Sequence, residues 1–315
     1  MLRFLTKSEG RLKELADAET GCWINIYPPF SQEELEEVAL RFDVPLDFLT
    51  DSLDIDERSR YEREEEVKLI VVNTPVLNES EEHRDTIFIT VPLGIILTPE
   101  HVITITSFEN PVIQAFLDDK IKNFDPKDEA MFVLQLFEQN VYRFLNCLKQ
   151  LNVKRNLIEQ ELFDSSRNKE LRQLLSIEKS LVYFVNTLST NELLKMKMKR
   201  SDLLGIRDDE EKMDLFEDII IDNSQALEMA NVYTNILNGT MDAYGSIISN
   251  NLNITIRRLT LVTIILMVPT LIASIYGMNV QLPFEKHPFT VYFIISISLV
   301  MSLLLAWYFQ RKRLF

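Results

Sequence analysis

Tyr276-Gly277-Met278-Asn279 stands between two long apolar runs, and the reading of that junction decides the fold. Upstream, Leu259 to Phe284 contains no Asp, Glu, Lys or Arg, and Phe289 to Gln310 downstream is equally free of them. A helix rises ~1.5 Å per residue, so about 20 apolar residues span the hydrocarbon of a bilayer. Each run is long enough, and the tetrad is expected where a two-span hairpin emerges on the far side of a membrane.

The residues just outside the runs set the orientation. Arg257 and Arg258 precede the first, and Arg311, Lys312 and Arg313 follow the second, whereas the connecting loop offers Lys286 beside Glu285 and His287. Basic residues stay on the cytoplasmic side. Both termini are therefore expected in the cytoplasm, with the hairpin in the cell (inner) membrane and some 250 residues of acidic soluble chain before it. The formal net charge of −15 argues against nucleic acid as a partner, because no basic stripe with interleaved aromatics is present. Cys22 and Cys147 are far apart and form no CxxC, so neither a disulfide nor a zinc knuckle is expected.

Three segments are expected: a cytoplasmic α/β domain over 1–125, long cytoplasmic helices over 126–258, and the two spans with a short external loop and a basic end over 259–315. In the first, Cys22 to Tyr27 reads as a strand, and Ser31, Glu33 and Glu34 open a helix through Phe42. A short helix is expected over Pro45 to Leu53. Strands follow at Val67 to Thr74, Thr86 to Val91, Leu93 to Leu97 and Val102 to Ser107, the last pair joined by a turn at Pro99-Glu100-His101. The charge-dense stretch from Asp51 to Glu66 reads as a solvated surface with internal ion pairs; the sharper alternative makes its carboxylates part of an inter-subunit site for a hard cation. From Asp128 onward apolar residues recur at spacings of three and four, through Met131, Leu134, Phe137 and Val141 and again through Leu171, Leu174 and Leu181. After a break at Gly205 a third helix begins near Asp209 and meets no proline before Pro269.

Steps of four and three along that last helix pick out Asp242, Ser246, Ser249, Asn253, Ile256, Thr260, Thr263, Met267, Thr270, Ser274 and Gly277. Nearly all are small or polar, while the neighbouring Leu259, Leu261, Val262, Ile264, Ile265, Leu266, Leu271 and Ile272 are apolar. Each hydroxyl taken alone fits ordinary membrane-helix packing. The continuity of the stripe, from an acidic residue to the tetrad, points instead to a hydrophilic face through the whole membrane depth. One or two spans cannot enclose a pore, so copies of the chain must assemble, with Ile256 and Met267 as apolar constrictions. At the outer end, Gly277 permits positive φ or close backbone approach, and Asn279 offers an amide that several subunits present as a ring. Magnesium sheds water reluctantly, and neutral amides and carbonyls hold its hydration shell without stripping it. Glu285 adds attraction at the entrance.

Taken with this layout, Tyr276-Gly277-Met278-Asn279 at the end of the penultimate of two C-terminal spans resembles the CorA family of divalent cation channels. The resemblance covers the whole chain. It implies an α+β cytoplasmic domain whose long helices continue into a two-span transmembrane hairpin, assembled as a funnel-shaped homopentamer in membrane lipid. It further implies a selectivity element at Gly277, Met278 and Asn279, and a pore face that includes Asn253, Met267, Thr270 and Ser274. Asp242 takes the place of the family's acidic position, where a metal bridges neighbouring subunits, with Asp54 or Asp56 as its partner. The loop departs from the magnesium members' pattern, reading Val280-Gln281-Leu282-Pro283-Phe284-Glu285-Lys286-His287.

The expected function is passive uptake of Mg2+, with Co2+ or Ni2+ as further cargo, gated by intracellular divalent ions. The alternatives are a zinc transporter of the same superfamily, proton-coupled, and a non-conducting membrane-anchored scaffold or metal sensor. No enzyme is expected, since His83, His101 and His287 form no HExxH and neither GxxxxGK[ST] nor GxGxxG occurs.

Overall fold

The computed structural model describes residues 2–8, 10–78, 85–164, 168–278 and 289–312, with side chains omitted for 161–168. Two compact units divide the chain, Met1–Met241 and Asp242–Phe315.

The first unit is built on a seven-stranded sheet in the order β2-β1-β3-β7-β6-β5-β4, comprising β1 (Leu2–Ser8), β2 (Arg11–Leu15), β3 (Trp23–Ile26), β4 (Arg60–Glu64), β5 (Val67–Leu77), β6 (Phe88–Leu97) and β7 (Val102–Ile105). Within this sheet, among the described residues, β3 and β7 pair in parallel and the other neighbours antiparallel. Side chains alternate across the pleat, so Leu69 and Val71 serve one face while Ile70 and Val72 serve the other. The first face packs on α1 (Gln32–Phe42) and α2 (Leu46–Asp51) through Leu35, Val38, Phe48 and Leu49. The second packs on α3 (Pro111–Leu117), α4 (Glu129–Asp164), α5 (Asn168–Ser201) and the start of α6 (Glu210–Tyr276), through Phe116, Phe132, Phe137, Leu194 and Phe216. Trp23 anchors that side: its Nε1 donates to Thr104 Oγ1 at 2.7 Å and its rings meet Phe116, Phe124 and Phe132 edge-on.

Local signals place several ends. Ser31 Oγ accepts from the Glu34 N–H while Glu34 Oε2 accepts from the Ser31 N–H, a reciprocal cap that starts α1. Gly205 takes φ +65° in the break before α6, a conformation that costs other residues more.

The two strands expected at Thr86 to Val91 and Leu93 to Leu97 are one strand, β6. Proline lacks an N–H and interrupts a ladder only where a partner waits for it. Pro92 sits opposite Asn73 on the β5 side, but β7 ends at Ile105 opposite Gly94, so no strand faces Pro92 on the other side. Part of the charge-dense stretch is also a strand, β4, on the sheet edge. There Arg60 binds Asp51 and Glu57 at 2.7 Å each and also Glu62, which bears out internal ion pairing. Beyond the end of β4 the exposed edge of β5 is closed by side chains: the Asn73 carbonyl accepts from Asn140 Nδ2 at 3.1 Å and Asn191 Nδ2 at 2.9 Å.

In the second unit, α6 continues to Tyr276 and α7 (Thr290–Arg311) follows. Both helices contain stretches long and apolar enough to cross a membrane. Ser302 Oγ donates to the Ile265 carbonyl at 3.3 Å. Ser302 lies 12 residues after the start of α7 and Ile265 11 before the end of α6, so the pair forms an antiparallel hairpin.

Candidate functional site

The faces of the hairpin follow from which residues are covered. From Leu259 onward the covered positions of α6 are Leu261, Ile265, Val268, Pro269, Ile272 and Tyr276; on α7 they are Thr290, Ile294, Ser298, Ser302, Leu305, Ala306 and Phe309. These spacings of three and four mark one contact stripe on each helix. The polar series Thr260, Thr263, Met267, Thr270, Ser274 and Gly277 is exposed throughout. At about 100° per residue, its mean direction lies about 180° from the contact stripe on α6. α7 therefore leaves the polar series wholly uncovered. Asp242, Asn253 and Ile256 continue it toward the start of α6 and are also exposed.

The hydroxyls on this face are committed in a definite way. Thr260 Oγ1 donates to the Ile256 carbonyl at 2.9 Å, Thr263 to Leu259 at 2.8 Å and Thr270 to Leu266 at 2.9 Å. Each proton is used inside the helix, and each oxygen keeps its lone pairs for whatever faces it. A row of acceptors suits a hydrated cation, whose waters bind the ion through oxygen and present their hydrogens outward.

At the C-terminal end of α6, the Gly277 N–H donates to the Ala273 and Ser274 carbonyls at 3.0 and 3.2 Å, and the Met278 N–H to Ile275 at 3.3 Å. Gly277 is not among the glycines with positive φ, so the left-handed conformation considered for it is not used; a Cβ there would meet only carbonyl oxygens at ordinary contact distance. Tyr276 belongs to the α7-facing side of the helix, whereas Met278 is exposed. Asn279 and Glu285, with Lys286 and His287, lie outside the described residues.

The acidic candidates fall in different units. Asp54 and Asp56 are exposed in the turn after α2, where Asp54 Oδ1 accepts from the Asp56 N–H at 3.0 Å, and neither joins an ion pair among the described residues. Asp242 is exposed in the second unit. Among the described residues, no group of three or more His, Cys, Asp or Glu side chains is arranged to hold a metal ion. Cys22 Sγ lies 3.6 Å from His101 Nδ1, but burial pushes the thiol up and the imidazole down, leaving both neutral and inert as a nucleophilic pair.

The profile of CorA-like Mg2+ transporter proteins matches residues 18–312. The chain belongs to this CorA family. One CorA relative, the cobalt/magnesium transport protein CorA of Methanocaldococcus jannaschii, is 27% identical over 307 residues, covering 92% of this chain and 90% of that protein. The protein of the same name from Thermotoga maritima is 22% identical, covering 94% and 84%. Among solved structures, the complete CorA magnesium transporter from M. jannaschii superposes with a TM-score of 0.79 at 23% identity, over 99% of this chain and 98% of that one. The CorA fold expected from the sequence is thus found over the whole chain.

Proposed function

We propose that this chain is one subunit of a homo-oligomeric channel, a pentamer by likeness to the family, that carries Mg2+ and Co2+ into the cell. The observation that carries the reading is the exposed polar face of α6, opposite the side on which α7 packs. A continuous stripe of hydroxyl oxygens through the membrane depth is better matched to water than to lipid, and copies of α6 around a common axis would bury it as a water-filled lining. The names of the two CorA relatives supply the ions. Entry needs no chemical energy source: a charge of +2 gains about 4.6 kcal/mol per 100 mV on moving inward.

In this reading Asn253, Ile256, Thr260, Thr263, Met267, Thr270 and Ser274 line the conduit, and Tyr276 to Asn279 with Glu285 form its outer mouth. Asp242, with Asp54 or Asp56 of a neighbouring copy, binds intracellular divalent ions and holds the closed state. Emptying those sites leaves carboxylates that repel, and the assembly shifts toward conduction. Both termini face the cytoplasm.

The test is flux in proteoliposomes. Asn279→Ala should abolish Mg2+ entry while the oligomer still assembles; unchanged flux removes the tetrad from the pathway. Parallel series with Zn2+, with and without a pH gradient, separate this reading from a proton-coupled zinc transporter.

A further inference from the structure

The inner end of the hairpin carries an unbalanced cluster of cations. Arg257 and Arg258 lie eight and seven residues before Ile265, and Arg311 and Lys312 lie nine and ten after Ser302. Because the Ser302–Ile265 bond fixes the register of the two antiparallel helices, these four residues stand at one level, within about one helical turn. On α6, Arg257 and Arg258 straddle the α7-facing direction, each about 50° from the contact stripe. Lys312 falls on the corresponding side of α7. Arg311 points away from the contact and stacks over Trp307, its guanidinium carbon 5.3 Å from the ring centroid. All four are exposed and none joins an ion pair among the described residues. No Asp or Glu occurs from Ala243 to Met278 or from Phe289 to Lys312, so the described hairpin beyond Asp242 holds nothing of its own to neutralise them.

We propose that Arg257, Arg258 and Lys312, flanked by the Arg311–Trp307 pair, form a site for the phosphate headgroup of an anionic phospholipid. Three features specify lipid as the occupant. The cluster directly adjoins the apolar stretches, at the depth where headgroups lie. Trp307 and Tyr308, both more than half exposed, mark the boundary between acyl chain and headgroup that amphipathic rings favour. The α6 cations face the side away from the polar stripe, so in an assembly around that stripe they look outward to the bilayer. Arginine holds phosphate oxygens with paired N–H donors, and lysine adds a point charge. The inference rests on the hairpin spanning a membrane.

Trp307 is a built-in reporter. The full-length protein is reconstituted in phosphatidylcholine vesicles containing either brominated phosphatidylglycerol or an equal fraction of brominated phosphatidylcholine, and tryptophan quenching is compared. Trp23, buried in the sheet core, contributes an unquenched background. Phosphatidylglycerol should be preferred by about fivefold for each cation engaged. The preference should fall in Arg257→Gln/Arg258→Gln/Lys312→Gln to no more than the roughly fivefold that the remaining Arg311 supplies beside Trp307, collapse for the unaltered protein in concentrated sodium chloride, and survive inorganic phosphate in the medium. Equal quenching by the two lipids, a preference undiminished in the triple variant or in salt, or displacement by free phosphate each overturns the site. Failure of either lipid to quench Trp307 overturns the spanning hairpin itself, which separates the two readings.

Discussion

Ser302 Oγ donates to the Ile265 carbonyl, the oxygen that Pro269 leaves without its helical N–H partner. In a helix the carbonyl of residue 265 would bond the N–H of residue 269, and proline has none. An unsatisfied carbonyl in hydrocarbon is costly, so the hydroxyl supplied by α7 both repairs α6 and joins the two helices.

Ser302→Ala should therefore lower the thermal stability of the protein in detergent by about 1 kcal/mol, within the range of membrane-helix hydrogen bonds. In a Pro269→Ala background, where the alanine N–H can return to Ile265, the same change should cost almost nothing. A Ser302→Ala penalty equal in both backgrounds would refute the coupling.

Lys195 provides a pH dependence. It is fully buried on α5, its Nζ donates to Asn223 Oδ1 on α6 at 2.6 Å, and it lies 5.6 Å from the Phe137 ring on α4. Burial pushes its pKa down from 10.5 to about 7, opposed by the charge of Glu192 one turn away. Because the folded value is the lower one, the penalty of burying the charged amine is fully present below about pH 7 and fades as pH rises toward 10.5. Unfolding free energy should climb with pH across that window by up to about 1.4 kcal/mol per unit, and Lys195→Met should remove this contribution to the slope. Identical slopes in denaturant titrations of the two proteins would show that the amine does not titrate there.

Gly94→Ala should destabilise the first unit by about 1–3 kcal/mol, because a methyl group at that position overlaps the Ser52 side chain and Ile105 Cγ2. Ser52 is fully buried and donates to the Phe48 carbonyl at 2.7 Å, so it cannot swing aside freely. Chemical denaturation of the full chain reads the difference.

Thr263→Val keeps the shape of the stripe but deletes an oxygen acceptor. A loss of Mg2+ flux of about tenfold, the equivalent of ~1.4 kcal/mol, is expected, with Thr263→Ser near the original rate. Equal flux in all three would make the hydroxyl a packing feature.

Much of this was legible from residue order because membrane spans and amphipathic helices advertise themselves by period. The runs after Leu259 and after Phe289, the break at Gly205 and the cap at Ser31 all depend on local chemistry. The misses depend on what lies opposite. Pro92 reads as a strand break until β7 is seen to stop short of it, and Arg60 to Glu64 reads as surface because an edge strand needs no apolar pattern. β1, β2 and α3 are not expected from the sequence, although Asn110 and Pro111 do open α3 with a side-chain cap to Val112. The link between Pro269, Ile265 and Ser302 was equally out of reach, since it joins residues 37 apart.

The commitment of the threonine protons at 260, 263 and 270 has an effect on anions. A chloride ion holds each of its waters by one hydrogen and leaves the oxygen, with the second hydrogen, on the outer side. Along the proposed pore those oxygens would meet the lone pairs of the threonines, with no hydroxyl proton turned toward them. These three residues would thus favour the hydration shell of a cation over that of an anion, without a fixed charge to trap the divalent ions they admit.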